Sequence, residues 1–397
     1  MSTDRLDGGW VPSRQSTLAA IRAWIAAYAA PLQIFIVTRA GLCLLAYLSL
    51  ILLPVPSAGL ERGFPSNLFL DGWTRWDAAW YRDIAEQGYS NIPKHEGVQR
   101  DTAFFPLYPI LIKATNLVFK KSYISGLFIS NITFLIAILL LFNLVERSYG
   151  IEVAKRSILL LSVYPFSFYF IAVYTESLFL WAVVCTFYFG ERKLWFLAGM
   201  SAAAAGATRV VGGITMVALL VLYLEHIDFD WRKIRPNILW ILLGALGPGG
   251  YMLFLAVRFG DPLQFMRSQS VPGWGADLGL EQAFKVVQDA WSFQAISSGQ
   301  YHAIYLINLL VFPFAIVLAL LALRLSRRAY GVWSLLTILA SFSLWRSMGR
   351  FTAVIFPLFI IAALLVKIDR WFQTIAYVSI LMLALFTVMF VHWYWVG

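Results

Sequence analysis

The sequence predicts an all-α polytopic membrane protein, and three observations carry that expectation. Hydrophobic residues make up 60% of the 397 and charged residues only 13%, about half the charged share of a soluble domain. Mean hydropathy is +0.73, and apolar runs approaching the roughly 20 residues of a spanning helix recur along the chain. The 31 Lys and Arg, against 21 Asp and Glu, gather largely in short segments between those runs, where cytoplasmic loops concentrate positive charge. The net charge of +10 therefore calls for no nucleic acid, and no RNA- or DNA-binding motif interrupts the apolar pattern. Sixteen Trp and eighteen Tyr suit many membrane boundaries.

Spans are predicted near 33–53, 123–145, 157–173, 175–190, 194–208, 210–224, 236–257, 303–323, 330–345, 351–366 and 371–393, about 11 transmembrane helices in all. With a cytoplasmic N-terminus, the basic clusters Arg147/Lys155/Arg156, Arg192/Lys193, Arg232/Lys233/Arg235, Arg324/Arg327/Arg328 and Lys367/Arg370 all fall on one side. Residues 1–32 then form a cytoplasmic arm with an interfacial helix, and 33–397 one transmembrane domain. The two long polar loops, 54–122 and 258–302, lie on the extracytoplasmic face; Trp274 and Trp291 in the second suggest a part in shaping an acceptor site. Cys43 and Cys185 sit inside apolar runs and the four His are scattered, so no disulfide framework or Cys-rich metal site is expected.

Acids and bases nearly balance in the first loop, as in a folded segment. Residues 76–87 have helical periodicity: Trp76, Trp80 and Ile84 share one face, Asp77 and Tyr81 the adjacent strip, and Gly88 supplies a stop. Two prolines, 106 and 109, precede an amphipathic run at 110–119. Further on, Ser201–Ala207 is rich in small residues that let helices approach closely.

Asp77 is the first candidate for chemistry. A carboxylate among Trp76, Trp80 and Tyr81 at the rim of a bilayer costs desolvation, and such a group can deprotonate a bound hydroxyl as a general base. The competing reading pairs it with Arg75 or Arg82 in a folded loop. Arg209, between two apolar runs and flanked by Gly206, Gly212 and Gly213, should face an anion, a water-filled cleft or an acidic partner at a broken helix, unless it snorkels to the interface. Arg346 and Arg350, four residues apart, read as two guanidiniums on one helical strip, suited to a phosphate or to anchoring at headgroups. Glu176 opens a helix, where the dipole alone would stabilise it. Arg39, inside the first span, reads as structural.

Trp76-Asp77-Ala78, Ile84-Ala85, Gly88-Tyr89 and Ala103-Phe104-Phe105-Pro106-Leu107-Tyr108-Pro109 resemble the PIG-V family of mannosyltransferases. Tyr164-Pro165, Tyr174-Thr175-Glu176-Ser177-Leu178-Phe179, Ala207-Thr208-Arg209 and Gly349-Arg350-Phe351 with Pro357 are similar to its later signatures, in the same order. The resemblance covers about 71–360. It implies a membrane glycosyltransferase of GT-C type with an extracytoplasmic active site, a lipid-phosphate sugar donor and Asp77 as catalytic base. The compact chain, and Ser90-Asn91 where the eukaryotic pattern usually shows an acid, point to a prokaryotic relative in the plasma membrane.

With polyprenyl-phosphate mannose as donor, Arg209, Arg346 and Arg350 would bind the phosphate, Asp77 would take the proton of a lipid or glycan acceptor, and Trp76, Trp80, Tyr81 and Glu176 would line the sugar and acceptor site. No cofactor or metal is expected. Asp71 and Asp77 are too far apart for an acid-any-acid motif, and a monophosphate donor needs less charge relief than a nucleotide diphosphate. Another polyprenyl-phosphate sugar would fit the same residues. The alternative from a different class is a lipid or sugar transporter, but the two halves do not resemble each other, and the notable charges gather toward one face.

Overall fold

The computed structural model describes residues 27–55, 62–93, 99–271, 288 and 303–397. Most of the predicted arm and residues 272–287 and 289–302 of the second loop, Trp274 and Trp291 included, lie outside them. The fold is all-helical. Helix α1 (Ala29–Leu52) is the first predicted span; the first loop then carries α2 (Leu68–Asp71), α3 (Ala78–Gln87) and α4 (Leu107–Phe119). After it come α5 (Ser122–Tyr149), α6 (Ile151–Val163), α7 (Glu176–Glu191), α8 (Trp195–Thr208), α9 (Ile214–His226), α10 (Leu246–Phe259) and α11 (Gln264–Gln269). The last group is α12 (Ala303–Leu325), α13 (Arg328–Ser341), α14 (Met348–Ala353), α15 (Phe356–Leu365) and α16 (Asp369–Val391).

The chain is a multi-pass membrane protein, but the eleven predicted spans are not eleven long helices. Among the described residues, five stretches are long and apolar enough to cross a bilayer: Ala29–Leu52, Ser122–Tyr149, Pro236–Phe259, Ile304–Leu325 and Asp369–Val391. A sixth results if Arg328–Ala353 and Phe356–Leu365, bent by 65°, count as one. The predicted span at 157–173 is not one continuous helix: α6 ends before Tyr164-Pro165 and the chain continues as a short 3-10 turn, Ser167–Phe170. Helix α7 shows why length misleads. It is apolar all round and buried on nearly every face, the mark of a helix shielded by other helices instead of lipid.

The small residues act as the sequence suggests. A Cβ on Gly206 would lie 2.5 Å from Pro248 Cδ, and one on Gly247 would overlap the Ala203 carbonyl, so only glycines let α8 and the 236–259 segment approach this closely. In the first loop, Trp80 stacks on Phe104 at 5.5 Å, while Tyr81 meets Phe104 and Tyr108 edge-on, each at 5.1 Å. These rings bind α3 to the segment entering α4. Asp71, fully buried, accepts from Arg75 at 2.8 Å, Arg62 at 3.0 Å and the Phe64 amide at 3.0 Å, closing the loop on itself.

Candidate active site

Asp77 stands at the N-terminal boundary of α3, where an aspartate ordinarily turns its carboxylate onto the free helix amides. Here it makes no such cap. Its Oδ2 instead accepts from Arg350 Nη1 at 2.9 Å, 273 positions along the chain. Neither loop arginine competes for it: Arg75 is bound to Asp71 and Arg82 to Asp83. The carboxylate is thus held by a distant helix, and its Oδ1 has no partner among the described residues.

Arg350 is shared. Its Nε donates to Glu176 Oε1, and its guanidinium lies 4.6 Å from the ring centroid of Tyr174 and 5.1 Å from that of Tyr169. Arg209 Nη1 donates to the same Glu176 oxygen at 3.0 Å. Two carboxylates and two guanidiniums therefore form one chain, Asp77–Arg350–Glu176–Arg209. Buried charges of this kind persist only when paired. Side-chain exposure falls from 21% at Asp77 to 12% at Arg209, 7% at Arg350 and 0% at Glu176, so Asp77 is the most accessible member.

Local structure explains each position. Glu176 is the first residue of α7, and its charge faces the positive end of the helix dipole. Arg209 sits in extended backbone where α8 breaks into a 3-10 turn at Val210–Gly213, the interruption its flanking glycines predicted, and Phe351 lies 5.0 Å from its guanidinium. Arg350 rides on α14. The amide of Gly349 donates to Asn308 Oδ1 at 2.7 Å, and a Cβ at Gly349 would collide with the Phe166 ring.

Two expectations are corrected. Arg346 and Arg350 do not share a helical strip: Phe342–Ser347 is a 3-10 segment with non-helical backbone at Leu344, and α14 starts afresh at Met348. Arg346 instead lies 4.9 Å from the Tyr305 ring centroid, with its Nε buried and unbonded and no carboxylate partner among the described residues. Trp76 leaves the face it was expected to share with Trp80, because it precedes α3 in a left-handed conformation, φ 53°. Trp80 and Tyr81 are buried in the loop's own packing. Burial first, then the Asp77 charge, raises the Tyr81 phenol above its ordinary range and keeps it neutral.

Arg39 donates to the Ser167 carbonyl at 3.5 Å and covers the Phe134 ring at 4.4 Å, away from the charged chain. The sequence reading missed Tyr174, whose hydroxyl donates to the Arg75 carbonyl and receives the Asp77 amide. It also missed Asp101, which accepts from the Ser90 amide and hydroxyl and from the Asn91 amide. Tyr174 stood inside a quoted motif beside Glu176, the one signal that marked it.

Residues 101–247, just over a third of the chain, match the sequence model of the family described as dolichyl-phosphate-mannose-protein mannosyltransferase. No curated protein matches the sequence. Among solved structures, ArnT from Cupriavidus metallidurans in the apo state superposes with a TM-score of 0.52 at 15% identity, covering 90% of this chain and 62% of ArnT. The chain has the GT-C fold. It spans less than two thirds of the ArnT length. ArnT bound to undecaprenyl phosphate gives 0.49 at 14% identity, over 86% of this chain and 62% of that one. The oligosaccharyltransferase AglB from Archaeoglobus fulgidus, in complex with an inhibitory peptide and a dolichol-phosphate, gives 0.43 at 13% identity, over 93% and 56%.

Proposed function

We propose that the protein is an integral-membrane inverting glycosyltransferase that moves a mannosyl residue from a polyprenyl-phosphate donor to a hydroxyl of a lipid or glycan acceptor on the extracytoplasmic face. The observation that carries this reading is the Asp77–Arg350 pair: an accessible carboxylate withheld from its own helix and aimed by a buried guanidinium. The GT-C fold supports it, as does the match of 101–247 to a family described by a dolichyl-phosphate-mannose donor.

Asp77 Oδ1 accepts the proton of the acceptor hydroxyl as that oxygen attacks the anomeric carbon. The glycosidic C–O bond breaks on the opposite face, its electrons pass to the phosphate oxygen, and polyprenyl monophosphate leaves. A β-linked donor then gives an α-linked product. Arg350 holds the Asp77 carboxylate aligned. The charges of Arg350 and Arg209 are already balanced by two carboxylates, so Arg346, without such a partner among the described residues, supplies additional positive charge for the departing phosphate.

The test is to incubate the purified protein with synthetic polyprenyl-phosphate mannose and a host lipid extract, and to identify the product by mass spectrometry. Asp77→Asn should abolish transfer while retaining donor binding. An active Asp77→Asn enzyme removes Asp77 as the base, and transfer only from another polyprenyl-phosphate sugar removes the mannosyl assignment.

A further inference from the structure

Beside Asp77, two tryptophans with left-handed backbones meet. Trp76, φ 53°, is its neighbour in sequence; Trp393, φ 68°, lies just beyond α16. Their ring centroids are 5.7 Å apart, and Trp395 stands 5.5 Å from Trp76, nearly perpendicular at 85°. All three indoles are half-buried, whereas Trp73, Trp333 and Trp345 are enclosed in the core. The Trp76 indole N–H is buried and has no hydrogen-bond partner.

The backbone at Trp393 is a helix stop: its amide donates to the Phe390 carbonyl at 3.1 Å and that of Tyr394 to the Met389 carbonyl at 2.9 Å. Glycine ordinarily fills this position, because a side chain there is strained. A bulky residue in that conformation marks a place where the surroundings dictate the backbone, and such places cluster at ligand clamps.

The segment is tied at both ends to the charged chain. Arg75, one residue before Trp76, donates Nε to the Val391 carbonyl at 3.0 Å and covers the Trp393 ring at 4.6 Å. Asn308, which receives the Gly349 amide next to Arg350, donates Nδ2 to the Val396 carbonyl at 3.5 Å. The aromatic segment therefore keeps a fixed place relative to both Asp77 and Arg350.

We propose that Trp76, Trp393 and Trp395 form an aromatic subsite that receives a pyranose ring of the acceptor next to Asp77. This rests on Asp77 being the base for the acceptor hydroxyl. An acceptor whose hydroxyl reaches Asp77 brings the ring bearing it close to Trp76, the preceding residue, and to the two indoles packed on it. The apolar C–H face of a pyranose matches a half-open indole.

The test uses the full chain in nanodiscs with polyprenyl-phosphate mannose as donor and octyl α-mannopyranoside as acceptor probe. The double variant Trp393→Gly/Trp395→Ala should raise the acceptor KM about tenfold, as the loss of two ring contacts implies, with a change of less than about twofold in donor KM. Trp393→Gly alone relieves the strained backbone, so it should melt no lower than the wild type while still weakening the acceptor. A rise in donor KM instead assigns the rings to the donor sugar and overturns the proposal, as do unchanged constants. Saturation-transfer NMR with methyl α-mannopyranoside reads the subsite without turnover. Signal in the wild type and in Asp77→Asn but not in the double variant supports it, and no signal in the wild type overturns it. An absence of transfer in the wild type with that NMR signal intact would refute the proposed function and not the subsite.

Discussion

The Tyr174 hydroxyl holds Asp77 by its backbone, accepting from the Asp77 amide at 3.2 Å while donating to the Arg75 carbonyl at 3.1 Å. The two bonds bracket Trp76 and pin the left-handed turn that delivers Asp77 to Arg350. The same ring lies under the Arg350 guanidinium. Tyr174→Phe keeps that ring but leaves the Asp77 amide without its partner, at a cost of about 1–3 kcal/mol, while the Arg75 carbonyl still accepts from the Ala78 amide at 3.2 Å. Transfer should fall about tenfold with a lower melting temperature, checked by melts and initial rates on one preparation. A wild-type rate would mean that the turn sustains itself.

Arg350 carries the heaviest electrostatic duty, since its removal strands Asp77 and leaves Glu176 with Arg209 alone. Breaking a buried pair from one side costs about 3–5 kcal/mol, largely because the other charge is left uncompensated. Arg350→Gln should therefore destabilise severely. Asp77→Asn in the same chain should recover part of the lost stability, because it removes the carboxylate left without a cation while the Glu176–Arg209 pair stays intact. A thermodynamic cycle over the four chains checks the coupling; additive losses would show that the pair does not act as a unit.

How far the sequence disclosed this arrangement depends on the range of each interaction. Local chemistry was readable: the stop at Gly88, the break of α8 at Arg209 and the start of α7 at Glu176 follow from residues a few positions away. Asp77, Glu176, Arg209 and Arg350 were each singled out, but their pairing spans up to 273 positions and no periodicity encodes it. The helical strip proposed for Arg346 and Arg350 failed because spacing cannot reveal the non-helical backbone at Leu344. The count of eleven spans is not confirmed, because several predicted spans fold as helices shorter than a spanning helix needs, such as the 16-residue α7. Trp393 and Trp395 were not singled out, and only the folded chain brings them to Trp76.

Chelation offers a separate check on the charge balance. Arg350 and Arg209 are balanced by Asp77 and Glu176, so under the proposed function the monophosphate leaving group takes its countercharge from Arg346 and needs no metal. Transfer should survive EDTA with rates within about twofold of the untreated enzyme. Abolition by EDTA, with rescue by manganese or magnesium, would place a divalent ion in the reaction and displace Arg346 from that role.

Gly349 tests whether Arg350 is aimed by packing. A Cβ there would overlap the Phe166 ring, which has little freedom to retreat because it packs 5.7 Å from the Tyr164 centroid and 5.1 Å from that of Phe386. Gly349→Ala must therefore push α14, and with it Arg350, away from Glu176 and Asp77. Overpacking of this kind costs about 1–3 kcal/mol, and small displacements of an aligned group are expensive in rate. Transfer should drop at least about tenfold, more than the thermal loss alone explains. Phe166→Leu in the same chain makes room for the added methyl and should restore part of the rate. If the double variant stays as slow as Gly349→Ala while melting at the wild-type temperature, the ring contact is not what positions Arg350.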